Sequence, residues 1–520
     1  MSRLNKIAAL IFKNPYYLSA FIFTAFACTA WIRPLLLPDE ARYVGAASNM
    51  LTFHNWLTPT LNGVPFFHKP PLFYWFSALG LSLFGHIEWA ARLPSILFAT
   101  VATLGCYWFV RRWVNERIAR ITVAALIIQP LFFLAAQFAN MDMSVAACIT
   151  LTILLAAHAA LSNLETKQSQ FALIAAYGVA ALGILSKGLI GAVLPGGVII
   201  VWLLFNGRFT IIFKMISIPG IVLFLLISSP WFLTMHLQYA GFSDYFFMEQ
   251  HFKRFASADF NNVQPAWFYV AVLLGACAPC LVWIVRKRNI KTNPTVFSLL
   301  WIWVAVITVF FSIPHSKLLG YIIPVVPALA ILFALGISQT VKMRTAARIY
   351  VAGIAIFYCV VSGATVGILG QNRSRNDMDM GLALKSVYSP GQAVLVIGKF
   401  PYSLGFYARL QNPVSIVEDW KNPNLRAFDG WQKELADGIA FDPQVLDSKL
   451  IDTDQMKTAM CANLVSWVIG RPEDLARHPV IAPLASVQFQ KNDLNTIWKI
   501  DRTQASVNAA LNCPQKPIPN

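Results

Sequence analysis

Apolar stretches of about 18 to 23 residues recur along the first two thirds of the chain. Each is long enough for an α-helix to cross a hydrocarbon core of roughly 30 Å, where a helix satisfies its own backbone hydrogen bonds. Hydrophobic residues make up 57% of the 520 positions and charged residues 12%, which excludes an ordinary soluble protein. The sequence therefore predicts a mainly α-helical integral membrane protein.

We predict about 11 membrane-spanning helices, and up to about 13. They fall roughly at residues 16–37, 91–110, 119–138, 143–162, 170–187, 189–206, 211–234, 266–285, 296–312, 319–339 and 348–369. The first stretch is too long for a signal peptide and lacks a small-residue cleavage site, so we expect it to be retained as a helix.

The basic residues indicate the orientation of these helices. A formal charge of +17 would favour nucleic acid as the partner of a soluble protein, but here the charge is concentrated in alternate connections. With the N-terminus inside, the inner loops contain Arg111, Arg112, Arg117, Arg120, Arg208, Lys214, Arg286, Lys287, Arg288, Lys291, Lys342, Arg344 and Arg348. This positive-inside pattern places the segment LPDEARY, residues 37–43, on the outer side, and no nucleic acid partner is predicted.

Two outer connections are long, at residues 39–89 and 238–264. The first is expected to contain short helices around 41–53 and 71–84, the second of which is amphipathic and suits the membrane interface. We assign residues 1–370 to a membrane domain that includes both connections, because long loops often carry function.

The composition changes after residue 370. Segments 393–400 and 464–470 resemble buried strands, and 486–500 resembles a hairpin. Residues 371–520 are therefore predicted to form a small extracytoplasmic α/β domain. It shows no phosphate loop, metal-ligand spacing or nucleophile elbow, so its role is open.

Cysteine positions separate into two groups. Six of the eight lie in apolar spans, including Cys277 and Cys280, for which packing is a simpler interpretation than a redox or metal pair. Cys461 and Cys513 lie in the C-terminal domain, where an oxidising compartment would permit a disulfide. The sequence leaves open whether they are bonded.

Charged residues at the outer ends of the spans are the candidate site. Asp39 follows the first span and Asp142 lies where the third predicted span turns into the fourth. Two carboxylates in one site would suit acceptor activation or stabilisation of a cationic transition state. The alternative for Asp39 is a helix cap with Arg42 as its partner three residues on, and Glu40 belongs either to the site or to the first helical turn.

Basic residues in the two outer connections are candidates for binding an anion. Lys69 lies between aromatic residues and prolines that stiffen the segment, which suits a phosphate contact. His251 and Arg254 are three residues apart and would share one helical face. The alternatives are a lysine that extends to lipid headgroups and a general basic membrane surface.

Several segments together resemble the GT-C membrane glycosyltransferases of the protein-mannosyltransferase superfamily, especially its ArnT-like branch. The matching segments are PDEARY (38–43), NWLTPTLNGVPFFHKPPLFYW (55–75), FGHIEWAARLPS (84–95), NMDMS (140–144), SKG (186–188), EQHFKRF (249–255) and SKLLGYIIPVVPALA (316–330). They occur in the family's order and at similar spacing. The resemblance implies a polytopic helical GT-C fold.

The resemblance also implies an activity and a set of site residues. It implies transfer of a sugar from a polyprenyl-phosphate donor, such as undecaprenyl phosphate, to an acceptor at the periplasmic side of a bacterial inner membrane. Asp39 matches the family's essential acid, and Lys69 and Arg254 match positions that bind the donor phosphate. The catalytic group is therefore predicted as Asp39, Asp142 and Glu40, the donor-phosphate group as Lys69, Arg254 and Arg42, and the pocket as His68, Lys187, His251, Tyr321 and Lys317.

Three functional hypotheses follow from these residues. The first is transfer of 4-amino-4-deoxy-L-arabinose, a hexose or a hexosamine to lipid A or another envelope glycolipid. The second keeps the donor but makes a protein hydroxyl the acceptor, and the third is a transporter for a lipid-linked sugar. ArnT has a glutamate where this chain has His68, so no metal site is assigned, and the sequence shows no cofactor requirement.

Overall fold

The computed structural model describes residues 10–253, 262–285, 293–340, 345–372, 376–491 and 495–513. Within these ranges, seven helices are long and apolar enough to cross a membrane, and a helix pair bent by 68° is an eighth candidate. Four shorter apolar helices occur as well, and three of them coincide with predicted spans. The fold is mainly helical and polytopic, as the sequence predicts.

The apolar helices are short or interrupted at several points, and proline or glycine accounts for some of the breaks. The helices of the membrane part are Pro15–Ala27, Glu88–Trp113, Glu116–Ile128, Pro130–Ala136, Met141–Leu161, Lys167–Lys187, Ile190–Phe205, Phe209–Lys214, Ile218–Gln238, Phe268–Cys277, Leu281–Val285, Pro294–Ser312, Val326–Thr340 and Thr345–Gln371, with 3₁₀ turns at Ala278–Cys280 and Leu319–Val325. At the bend near residue 129, Pro130 begins a new helix, and the Gln129 side chain accepts a hydrogen bond from the amide of Phe132.

Polar side chains and small residues set the ends and crossings of these helices. Asn115, Asn140 and Asn293 each accept a hydrogen bond from a first-turn amide, which satisfies a donor that the helix itself leaves unpaired. Gly183 and Gly191 lie against each other, and a methyl group on Gly191 would overlap the Gly183 backbone. This contact allows two neighbouring helices to cross closely.

The first outer connection contains helices Asp39–Thr52 and Leu72–Phe84, joined by a small hairpin of strands β1 (Thr60–Leu61) and β2 (Val64–Pro65). Both helices agree with the sequence prediction. The second outer connection contains a π-helix, Asp244–Lys253, whose aromatic residues pack on the bundle. Residues 254–261 of this connection lie outside the described ranges.

The C-terminal region is built on a six-stranded mixed sheet with short helices around it. Its strands are β3 (Ala393–Ile397), β4 (Ser415–Val417), β5 (Leu450–Ile451), β6 (Val465–Gly470), β7 (Ser486–Lys491) and β8 (Asn495–Asp501), in the order β5-β4-β3-β6-β8-β7. Its helices are Met378–Val387, Leu404–Ala408, Trp431–Ile439, Thr453–Ala462, Pro472–Ala476 and Ala505–Leu511, with 3₁₀ turns at Pro423–Arg426, Pro443–Val445 and Ala482–Leu484. The predicted strands and hairpin are confirmed, and strand β3 ends before Gly398, which has a φ of +81°.

Both faces of this sheet are covered. Val394 and Val396 on one face join a core that includes Val44 of helix Asp39–Thr52, whereas Leu395 on the other face packs in a separate core with Met456. Alternate residues of one strand thus belong to two cores, as the two-residue period of a strand requires. The first core is continuous between the C-terminal sheet and the outer connection.

Polar contacts fix the same interface. The Tyr407 hydroxyl accepts a hydrogen bond from the amide of Leu35 (2.8 Å) and donates one to Glu88 (3.1 Å). Asn62 exchanges two hydrogen bonds with the backbone of Val414, at 2.8 and 2.9 Å. These contacts join the C-terminal sheet to the outer ends of the membrane helices. The boundary near residue 370 stays a prediction.

Cys461 and Cys513 form a disulfide that closes a segment with a sequence separation of 52. Replacing both with serine is expected to lower the free energy of unfolding of the C-terminal region by about 2–5 kcal/mol, since the cross-link restricts the unfolded chain. Denaturant unfolding in detergent, followed by tryptophan fluorescence, measures the change. Cys359→Ser, at an exposed free thiol, is the matched control. Equal stability of the double variant and the control would contradict this role.

Candidate active site

A cavity of about 450 Å³ lies where the outer ends of the membrane helices meet the C-terminal sheet region. Its lining combines residues from both parts of the chain. These residues are Pro38, Asp39, Arg42, Tyr43, His68, Lys69, Asn140, Met141, Asp142, Lys187, Asn262, Leu318, Tyr321, Lys399, Tyr402, Asp429, Gly430, Trp431 and Glu434. The structure therefore brings together seven of the predicted site residues: Asp39, Arg42, His68, Lys69, Asp142, Lys187 and Tyr321.

Asp39 is the first residue of helix Asp39–Thr52 and faces the cavity. Its carboxylate pairs with Arg42 one helical turn later, and its side chain is 37% exposed. Arg42 also pairs with Glu434 of the C-terminal region, and Tyr402 donates a hydrogen bond of 2.7 Å to that glutamate. The Asp39 side chain makes no capping hydrogen bond at this helix. The alternative interpretation of Asp39 was a helix cap that pairs with Arg42, and of these two features only the pairing with Arg42 is present.

The Arg42 side chain is largely enclosed, whereas a residue that binds the donor phosphate is expected to be accessible. Burial lowers the pKa of Arg42, but its neighbours Tyr43, Glu434 and Asp39 outweigh burial and leave that pKa above its usual range. The same enclosure and the charge of Glu434 raise the pKa of the Tyr402 hydroxyl, which therefore stays protonated. Arg42 acts as a fixed cation between two carboxylates.

Glu40 points away from the cavity, which corrects its predicted place in the catalytic group. Its carboxylate is fully buried between Arg33 and Arg92, and it accepts hydrogen bonds from the amides of Leu36 (3.1 Å) and Ala139 (2.8 Å). Burial alone would raise the pKa of Glu40, but the two arginines lower it to about 2. Adjacent helical residues point about 100° apart, so Asp39 can face the cavity while Glu40 faces the protein interior.

Asp142 occupies the first turn of helix Met141–Leu161. One carboxylate oxygen pairs with Lys187, and the other accepts a hydrogen bond of 3.1 Å from Asn140. The Lys187 ammonium lies 4.3 Å from the centre of the Tyr321 ring, a cation–π contact. Gly320 packs so closely on the carboxylate that a methyl group there would overlap it. Asp142 is thus held on three sides.

Lys69 and His68 reach the cavity from the first outer connection. The Lys69 ammonium donates a hydrogen bond of 2.9 Å to the carbonyl oxygen of His68. The His68 ring is buried and stacks on Phe66 with centroids 4.5 Å apart. Phe67 packs edge-on against Tyr239, Phe242 and Phe441. The segment is therefore anchored by aromatic packing, which holds the lysine in place.

Of the remaining predicted residues, Lys317 does not line the cavity. Lys317 is buried beside it and donates to the carbonyl oxygens of Gln264 (2.9 Å) and Pro314. His251 belongs to the π-helix of the second outer connection, and Arg254 lies outside the described residues. The predicted grip of His251 and Arg254 therefore stays a prediction.

Six cavity residues come from the C-terminal region and were not predicted. They are Lys399, Tyr402, Asp429, Gly430, Trp431 and Glu434. No motif marks them, because they stand in loops and one short helix more than 300 positions after Asp39 in the sequence. The one available signal was the location of Lys399 near the end of the predicted strand segment 393–400, where parallel sheets often place ligand contacts.

Within the described residues, no group of three or more histidine, cysteine, aspartate or glutamate side chains is arranged to hold a metal ion. Asp39 and Glu434 pair with Arg42, and Asp142 pairs with Lys187. The arrangement instead offers cations for anion binding and carboxylates for stabilising positive charge.

Residues 68–233 match the family described as dolichyl-phosphate-mannose-protein mannosyltransferase. The undecaprenyl phosphate-alpha-4-amino-4-deoxy-L-arabinose arabinosyl transferase of Pectobacterium atrosepticum is 28% identical over 393 residues, 72% of this chain and 67% of that enzyme. The enzyme of the same name from Pseudomonas aeruginosa is 29% identical over 318 residues, 59% of this chain and 57% of that enzyme.

The crystal structure of ArnT from Cupriavidus metallidurans bound to undecaprenyl phosphate has the same fold, with a TM-score of 0.78 at 22% identity. The match covers 97% of this chain and 99% of that one. The fold and the similarity to these enzymes together indicate a multi-pass membrane glycosyltransferase. The chain is similar in sequence to the ArnT enzymes and in fold to ArnT, which supports the resemblance seen in the sequence.

Glu40→Gln is expected to lower the free energy of unfolding by about 3–5 kcal/mol, because it leaves two arginines buried without their counter-charge. Glu116→Gln removes an exposed pair with Arg120 and is the matched control, with an expected change below about 1 kcal/mol. Denaturant unfolding in detergent measures both.

The stabilisation by Glu40 is complete above the unfolded pKa of about 4.5 and is lost progressively as pH falls from there through about 2. Glu40 should therefore cause no change in stability between about pH 5 and 8. A loss of stability equal in Glu40→Gln and Glu116→Gln would contradict the buried role.

Glu434→Gln is expected to lower turnover about 10- to 100-fold, because Arg42 loses one charged partner and no longer holds Asp39 in one position. The free energy of unfolding checks that the variant folds. Glu473→Gln removes an exposed pair with Arg471 in the same region and serves as the control. In an Asp39→Asn background, Glu434→Gln should have little further effect, since both act through Asp39. Fully additive losses would contradict this coupling.

Proposed function

We propose that this chain transfers a sugar from a polyprenyl-phosphate donor to lipid A or another glycolipid of the cell envelope. The sugar is 4-amino-4-deoxy-L-arabinose, a hexose or a hexosamine. The observation that carries the proposal is the cavity itself: Lys69, Lys187 and Arg42 lie with Asp39 and Asp142 at one end of a lipid-embedded helical bundle. A lipid-linked phosphate would meet cations there while its hydrocarbon chain stays in the bilayer.

We place this cavity on the periplasmic side of a bacterial inner membrane. The basic residues of the inner loops support this orientation through the positive-inside rule. The Cys461–Cys513 disulfide supports it independently, because disulfides persist in oxidising compartments. Helix Thr345–Gln371 leads directly into the C-terminal region, so the cavity, the disulfide and that region share one side.

The reaction breaks the bond between the sugar's anomeric carbon and the donor phosphate oxygen, and that oxygen leaves with the electron pair. An oxygen of the acceptor forms the new bond to the same carbon. Lys69 is assigned to the leaving phosphate, whose charge grows during the step, and Arg254 joins it by resemblance. Both oxygens of Asp142 are engaged, so we assign that residue to holding Lys187 in place.

Asp39 is assigned to the positive charge that develops on the sugar. Its side chain is the more exposed of the two aspartates, and Arg42 is the residue that hydrogen-bonds to it within the described part of the chain. An acceptor phosphate is already ionised at neutral pH and needs no base. A hydroxyl acceptor would need one, and Asp39 would then serve that role.

Asp39→Asn is expected to lower transfer at least about 100-fold, because the neutral amide no longer stabilises the charged transition state. The assay combines purified protein, a labelled polyprenyl-phosphate sugar and lipid A. Asp454→Asn, at an exposed position of the C-terminal region, is the control.

The same assay separates the alternatives. Labelling of peptide hydroxyls in place of lipid A would favour a protein acceptor, and movement of intact donor across a vesicle without transfer would favour a transporter. Unchanged transfer by Asp39→Asn would overturn the assignment of this site. The mass of lipid A from a deletion strain identifies the acceptor in cells.

A further inference from the structure

The C-terminal region forms one wall of the cavity, and Lys399 is the cation on that wall. Lys399 follows an inner strand of the four parallel strands β5-β4-β3-β6, because β3 pairs in parallel with both β4 and β6. In parallel sheets of this kind, the carboxyl ends of central strands are where ligands bind. The lysine thus stands at the usual ligand edge of its own sheet.

The loop that carries Lys399 is fixed at both ends. Gly398 packs against Asp474 so closely that a methyl group would overlap the carboxylate. On the other side, Phe400 and Tyr402 are buried in the core shared with helix Asp39–Thr52. The backbone of Lys399 is therefore held at the cavity, although its side chain remains exposed.

The cations of the cavity differ in their partners. Arg42 is paired with Asp39 and Glu434, and Lys187 is paired with Asp142. Lys69 approaches from the membrane side, next to His68. Within the described residues, Lys399 makes no ion pair with a carboxylate at 4 Å or less. Lys399 is thus a cavity cation supplied by the C-terminal region, available to an incoming anion.

The proposed reaction with lipid A brings two phosphates into this cavity. The donor diester loses its sugar and becomes a monoester, while the acceptor monoester gains the sugar and becomes a diester, so the total charge is unchanged. Two neighbouring phosphates repel each other, and a cation beside each phosphate offsets this repulsion. Lys69, on the first outer connection, can neutralise only one of the two phosphates.

We propose that Lys399 binds the acceptor phosphate, so that the C-terminal region supplies the acceptor side of the active site. This inference rests on the proposed function and deepens it, because it assigns contact with the acceptor phosphate to a residue of the C-terminal region. Lys69 then holds the donor phosphate on one wall and Lys399 holds the acceptor phosphate on the other, with the sugar between them.

The test compares Lys399→Ala with Lys421→Ala, at an exposed lysine of the same region that does not line the cavity. Lys399→Ala is expected to raise the KM for lipid A about 10-fold, with the KM for the donor unchanged. Lys399→Arg should retain most of the affinity, because the charge is kept. With dephosphorylated lipid A, Lys399→Ala and the parent protein should bind equally.

Direct binding of lipid A to the purified proteins, measured without donor, separates this inference from the proposed function. If the parent protein transfers sugar to lipid A but Lys399→Ala binds and uses it normally, the inference is wrong and the function stands. If no transfer occurs but Lys399→Ala still binds lipid A about 10-fold more weakly, the function is wrong and the phosphate contact stands. A change in donor KM alone would also overturn the inference.

Discussion

The buried carboxylate of Glu40 is the contact on which the cavity depends. It accepts hydrogen bonds from Arg33, in the segment that follows helix Pro15–Ala27, and from Arg92 near the start of Glu88–Trp113. It also accepts from the amide of Ala139, three residues before Asp142. Arg92 in turn donates to carbonyl oxygens at Ala30, Arg33 and Pro34. One ion pair cluster therefore joins three separate segments, and breaking it would expose buried charges to an apolar surrounding.

This ion-pair cluster explains why Asp39 and Glu40, which are adjacent in the sequence, have different roles. Because Glu40 is fixed inside the protein, helical geometry directs Asp39 toward the cavity and places Arg42 one turn further along the same helix. Arg42 also forms an ion pair with Glu434, so a residue of the C-terminal region restricts the orientation of Asp39. Asp142 reaches the same cavity because its loop is tied to Glu40 through Ala139. The two aspartates are positioned by one buried glutamate.

The sequence predicts the parts of this fold that depend on local pattern. Apolar length locates the helices, and short β-branched runs locate strands β3 and β6, because each pattern reflects burial along a single element. The ordered motifs also identify Asp39, Lys69, Asp142 and Lys187 as neighbours. The location of the Glu40 side chain was not predictable, because the sequence does not show whether a carboxylate contacts a ligand or is buried between two arginines. Glu434 and Lys399 were missed because their proximity to Asp39 exists only after the sheet packs on the outer helices.

The balance of charge in the cavity favours turnover as well as binding. A phosphate held by several unopposed cations would be bound tightly as substrate and as product alike, and uniform binding of this kind does not accelerate a reaction. Here Arg42 and Lys187 are already paired with carboxylates, so their electrostatic attraction for a phosphate is weakened before a substrate binds. In the proposed reaction, Asp39 faces the sugar, where positive charge develops only in the transition state. Under the same proposal, Lys69 and Lys399 bind the two phosphates, and the pairing of Arg42 and Lys187 with acids keeps either phosphate from being bound too tightly to depart.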